Sequence, residues 1–163
     1  MVPTKVANQS NIRVLTATDE RKTMKILLAA DGSKFTKKAL TFLMASKNLA
    51  TADDELIVFH VQDPVSPHIK SKLGSAEVEA YQLGQAEKVL KPIKKFLDKQ
   101  AVSYRCVWVV GAAASEIIRV SKKERVQMIV MGAHGHGMLV RALMGSVAQR
   151  VMADCDIPVL MVK

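Results

Sequence analysis

At 163 residues the chain has the length of one ordinary domain, and 49% hydrophobic with 24% charged residues excludes both a disordered tail and a disulfide-stapled miniature. Its two cysteines, Cys106 and Cys155, are too few for a disulfide framework or a four-cysteine zinc site and fit the small buried thiols of a reducing cytoplasm. A formal net charge of +9 points to an anionic partner, with nucleic acid, a phospholipid surface and a phosphorylated small molecule all open. No apolar run reaches the roughly 18 residues of a membrane span. Residues 1–23 lack the compact apolar stretch and cleavage site of a secretory signal and read as a polar, partly disordered lead-in to a single domain over 24–163.

The first element is MKILLAAD at 24–31, an apolar run without polar alternation, as a strand buried on both faces of a parallel sheet requires. An amphipathic helix follows over 33–48, with Ser33 as N-cap and an apolar stripe of Phe35, Ala39, Leu40, Phe42 and Leu43. A second strand is expected over 55–61, then a turn-like segment over 62–75 containing Pro64 and Pro67. A long helix over 76–100 carries Leu83, Ala86, Leu90, Ile93 and Leu97 at helical spacing, with a kink or break at Pro92. A third strand over 102–110 closes at Gly111, a helix covers 115–123, and a strand covers 127–131. After a glycine-rich stretch over 132–146 come a helix near 147–153 and a last strand over 158–162. Strands alternating with helices through short links imply a parallel sheet with helices on both faces and a ligand site beyond the carboxyl ends of the strands. Asp31, Val61, Gly111 and Gly132 each end a strand and so fall at that edge.

The stretch GAHGHGMLVRALMGS at 132–146 is the richest of these loops. Gly132, Gly135 and Gly145 allow positive φ and close approach of a ligand, and Ser146 stands at a helix start. Free amides and the helix dipole there suit a phosphate, which the amides of Gly135, Gly145 and Val147, the Ser146 hydroxyl and the Arg141 guanidinium would hold. The spacing G-x-x-x-x-G-K-[ST] is absent, and no G-x-G-x-x-G follows the first strand.

Residues 132–146 match the signature G-x2-G-x9-G-[ST] at every fixed position, and in this the chain resembles the ATP-binding branch of the universal stress proteins. The similarity runs from ADGS at 30–33 through VFHV at 58–61 to IPVLMV at 157–162. One departure is GAAASE at 111–116, where the family often has a proline. The resemblance implies a Rossmann-like open sheet of five parallel strands in the order 3-2-1-4-5, of the adenine nucleotide alpha hydrolase type. It implies that Asp31 faces the ribose and a Mg²⁺ carried with the nucleotide, that the Val61 backbone reads the adenine edge, and that Met131 and Gly132 line the ribose and base side. Gly135, Gly145, Ser146 and Val147 would hold the phosphates of ATP, ADP or AMP. It further implies a homodimer through 158–162, and a cytoplasmic, nucleotide-dependent sensor or regulator of stress.

Other residues have plainer readings. His134 and His136 lack a third ligand for zinc, His60 reads as a structural histidine, and Tyr104 and Trp108 read as strand packing rather than nucleic-acid stacking. Direct nucleic-acid binding ranks last, with aromatics at 4% of the chain. The positive excess lies mainly on the helices over 33–50 and 64–105, whose lysines, Lys88, Lys91, Lys94, Lys95 and Lys99 among them, read as a solvated face. No residue supplies a clear base to activate water. A slow ATPase and a nucleotide-independent protein–protein adaptor stand as alternatives to the regulator.

Overall fold

The computed structural model describes residues 23–46, 49–136 and 144–163. In chain order the elements are β1 (Lys25–Ala29), α1 (Lys34–Ala45), β2 (Glu55–Gln62), α2 (Pro67–Lys72), α3 (Ser75–Leu97), β3 (Ser103–Val110), α4 (Ala113–Glu124), β4 (Met128–Gly132), α5 (Ser146–Asp154) and β5 (Val159–Val162). The strands form one sheet in the order β3-β2-β1-β4-β5, every pair parallel.

The unbroken apolar runs are explained by what covers each face. Ile26, Leu28, Leu56, Val58 and Val130 pack under α1 and α3, whereas the alternate residues Leu27, Ile57, Phe59, Ile129 and Met131 pack under α4 and α5. Successive strand residues point to opposite faces, so a sheet covered on both must be apolar at every position. Ile26, Leu27 and Leu28 are fully buried; each contributes about 1.5–3 kcal/mol relative to an exposed side chain. The connections through α1 and α3 keep to one face, and those through α4 and α5 to the other. The strand order therefore reverses beside β1, where a crevice opens at the carboxyl ends of β1 and β4.

Four local expectations need correction. The turn-like segment at 62–75 contains α2, because Pro67 occupies the first helical position, where the missing N–H costs nothing, and Ser66 caps it by accepting from the Ile69 amide at 3.4 Å. α3 runs unbroken through Pro92: Leu90, Ile93 and Leu97 are buried on both sides of it, and their packing outweighs the roughly 3 kcal/mol a mid-helix proline costs. Phe42 and Leu83 do not join the buried stripes; they are 43% and 47% exposed. Cys106 and Cys155 are both only half-buried.

Other residues lie as expected. Ser33 caps α1 by accepting from the Thr36 amide at 3.3 Å. His60 is buried with Nδ1 2.8 Å from the Ala30 carbonyl. The charge divides by layer: on the α4 and α5 side Arg119 pairs with Glu116, Lys122 with Asp156 and Arg150 with Asp154, while no described lysine of α1 or α3 forms an ion pair with another described residue.

Tyr104 packs beside α3, and its hydroxyl donates to the Asp98 carboxylate. That hydrogen bond, aided by burial and by the Asp98 charge, pushes the phenol up to about 12. A pKa raised by folding contributes stability below the unfolded value near 10, and that stability is lost as pH rises through the folded value. Asp98→Asn is expected to bring the Tyr104 transition back toward its ordinary position in a spectrophotometric titration; an unmoved transition would assign the shift to burial alone.

Candidate functional site

The crevice at the β1–β4 edge is a cleft of about 510 Å³, within the roughly 300–1,000 Å³ of small-ligand sites. Eight of the nine residues proposed from the sequence line it: Asp31, Val61, Met131, Gly132, Gly135, Gly145, Ser146 and Val147. The ninth, Arg141, lies outside the described residues. The sheet order arranges the lining. Phe59 and Val61 of β2, with Ala113 and Ile117 at the start of α4, form an apolar side; Asp31 stands after central β1; Gly132, Gly135 and the start of α5 form the far side.

Asp31 is held at every polar atom of its main chain. Its amide donates to Thr36 Oγ1 at 3.1 Å, and His136 Nε2 donates to its carbonyl at 2.8 Å, across 105 residues of sequence. On the carboxylate, Oδ1 accepts from the Ser33 amide at 2.9 Å and from the Thr36 hydroxyl at 2.6 Å. Burial pushes the Asp31 carboxyl up, but the bonds from Thr36 and Ser33 and the neighbouring His136 more than offset it, leaving its pKa below the ordinary carboxylate value. The group is therefore ionised at neutral pH.

The motif glycines serve a purpose other than the positive φ expected of them. Among described glycines only Gly32, in the turn after Asp31, is left-handed, with φ of 82°. At Gly132 a Cβ would come within 2.5 Å of Phe35 Cβ and 3.0 Å of its carbonyl carbon, so the absent side chain is what lets α1 sit against β4. At Gly135 it would lie 2.7 Å from Asp31 Oδ2, so a side chain there would have to displace the acid's free carboxylate oxygen. Gly145 differs: its φ is −71° and a Cβ would meet nothing closer than 3.5 Å.

Gly145 is the N-cap of α5 and provides no side-chain acceptor, so the first-turn amides that follow it are uncapped and carry the positive end of the helix dipole. One detail of the expected phosphate contacts is corrected: the Gly145 amide donates to the Ala133 carbonyl at 2.8 Å and is not free for a ligand. That bond sets Gly145 beside Ala133, on the side of the cleft that Gly135 also lines.

Among the described residues no group of three His, Cys, Asp or Glu could hold a metal. The His134 ring packs against Phe35 at a tilt of 50°, with centroids 5.0 Å apart, and His136 is hydrogen-bonded to the Asp31 carbonyl. Thr36, Phe59 and Ile117 also line the cleft and were not singled out by the sequence; a hydroxyl five residues after the strand-end acid was the available signal for Thr36.

Fold and cleft together define an α/β protein with a cleft at the switch point of a parallel sheet. The model of the universal stress protein family matches residues 22–163, and the chain belongs to that family. Universal stress protein MJ0531 of Methanocaldococcus jannaschii is 34% identical over 142 residues, covering 85% of this chain and 81% of the relative. MJ0577 of the same organism is 32% identical over 156 residues, covering 85% and 94%. Its solved structure aligns with a TM-score of 0.73 at 33% identity, over 86% of this chain and 95% of the other. A universal stress protein family protein of Arabidopsis thaliana solved with AMP bound shares the fold, with a TM-score of 0.61 at 18% identity over 86% and 91% of the two chains. No helix among the described residues is long and apolar enough to cross a membrane.

Proposed function

We propose that the cleft binds an adenine nucleotide, with ATP as the working ligand, and that the protein is a nucleotide-dependent regulator of the stress response. The observation that carries this reading is the order of chemistry across the cleft. An apolar side at β2 and α4 suits a base, an ionised Asp31 at β1 suits ribose hydroxyls, and Gly135 with the uncapped start of α5 suits phosphates. Base, ribose and phosphate succeed one another in that sequence along a nucleotide. The AMP held by the Arabidopsis protein of the same fold supports the adenine assignment.

Ser146 and Val147 would meet phosphate oxygens through the α5 terminus, and Arg141 would add charge. With Asp31 the one carboxylate among the described residues lining the cleft, a Mg²⁺ would be held chiefly by the nucleotide's own phosphates, with Asp31 as its protein contact, which matches how Mg²⁺ is usually bound. The regulator is proposed to be a homodimer joined along β5, an edge strand whose four residues are half-buried and whose outer side pairs with no described strand. Calorimetry on metal-free protein should show saturable binding of ATP and AMP, with Mg²⁺ strengthening ATP more than AMP. If neither bound with Mg²⁺ present or absent, the reading would be wrong, and a monomer at all concentrations in sedimentation would remove the dimer from it.

A further inference from the structure

The acid assigned to the ribose is held by a residue outside both the glycine motif and the Asp-Gly-Ser turn. Thr36, in the first turn of α1, is 2% exposed. Its hydroxyl bonds Asp31 twice, donating to Oδ1 and accepting from the amide, so that acid and threonine close a small ring. Such a ring fixes the carboxylate's rotation, which in an aspartate is otherwise broad about its terminal torsion. The Ser33 amide holds the same Oδ1. With Oδ1 occupied from two directions, Oδ2 is the oxygen left beside Gly135, and both residues line the cleft.

We infer that Thr36 is a positioning residue that makes the cleft selective for the ribose diol, by presenting Asp31 Oδ2 to the sugar in one orientation. The inference rests on the reading of Asp31 as the ribose acid. A carboxylate oxygen accepts well from sugar hydroxyls only when its lone pairs face them, and a site built for those hydroxyls leaves a polar group unpaired when they are missing. A carboxylate free to rotate would lose that discrimination while still tolerating a nucleotide.

The test compares ATP with 2′,3′-dideoxy-ATP by calorimetry in the native protein and in Thr36→Ser, Thr36→Val and Asp31→Asn. The native protein and Thr36→Ser are expected to prefer ATP by about tenfold, the order of one hydrogen bond to a charged group. In Thr36→Val the preference should fall to roughly threefold or less, chiefly through weaker ATP binding, with dideoxy-ATP affinity held within about twofold. A merely structural role would weaken both ligands together and keep the ratio, which would overturn the inference, as would loss of the ratio in Thr36→Ser. A ratio that survives Asp31→Asn would show that the acid does not meet the ribose, sinking the underlying assignment as well. A ratio lost in Asp31→Asn but intact in Thr36→Val would sink only the role of Thr36. Should Thr36→Val not fold, Thr36→Ala gives the same comparison.

Discussion

Gly145→Glu is expected to weaken ATP binding by about 100-fold or more, the equivalent of roughly 2.7 kcal/mol, with the melting temperature nearly unchanged. The backbone at Gly145 has φ −71° and ψ 151°, which any residue adopts, and a Cβ there would make only ordinary contacts with Ala133 and His134. The fold therefore does not demand this glycine. A glutamate would extend from the N-cap of α5 into the cleft, where its charge repels phosphate and takes the place of phosphate oxygens at the uncapped amides. The same carboxylate at a helix start is favourable to the helix by about 0.3–1 kcal/mol, so folding should not suffer. Calorimetry and thermal unfolding on the same preparation check both halves. Undiminished ATP affinity would move the phosphates away from α5.

Gly132→Val is expected to do the reverse, destabilising the protein by roughly 3 kcal/mol, the upper part of the usual range for overpacking, or about 10 °C in melting temperature for a chain of this size. A Cβ at this position lies 2.5 Å from Phe35 Cβ and 3.0 Å from the Phe35 backbone. Phe35 is buried in the first turn of α1, so the clash cannot be relieved by turning a surface side chain. Relief requires α1 to move off β4, which disturbs Thr36 and the Asp31 turn as well. A loss under about 2 °C would show that α1 backs away freely.

These two glycines belong to one motif and look alike in sequence. Spacing marked both, but it could not say that one is required by packing and the other only by the space it leaves open. That distinction depends on what stands opposite each Cα, which for Gly132 is a helix almost a hundred residues earlier in the chain. The correction at the Gly145 amide has the same origin, since the Ala133 carbonyl that accepts from it stands elsewhere in the chain and meets it only in the fold. Pro67 and Pro92 misled for a related reason. A proline's local cost is fixed, but whether a helix bears it depends on position within the helix and on the packing beneath it.

The positive charge also changes meaning once placed. The described lysines of α1 and α3 lie over one face of the sheet without an ion pair to another described residue, while the cleft is defined by amides, a buried threonine and an aspartate. Net charge is a sum over the chain and carries no information about position, so it could raise the prospect of an anionic ligand without locating its site.

By itself the sequence determined the five strands, the alternation with helices, the cap at Ser33 and the residues gathered at the carboxyl edge. Each of these follows from local composition and periodicity, because burial on both faces demands unbroken apolar runs and ligand loops demand small residues at strand ends. Only the tertiary structure decided the ring between Thr36 and Asp31, the latch of His136 on the Asp31 carbonyl and the separate duties of the three glycines. Those depend on hydrogen bonds and close contacts between segments whose separation in the chain has no bearing on their distance in space.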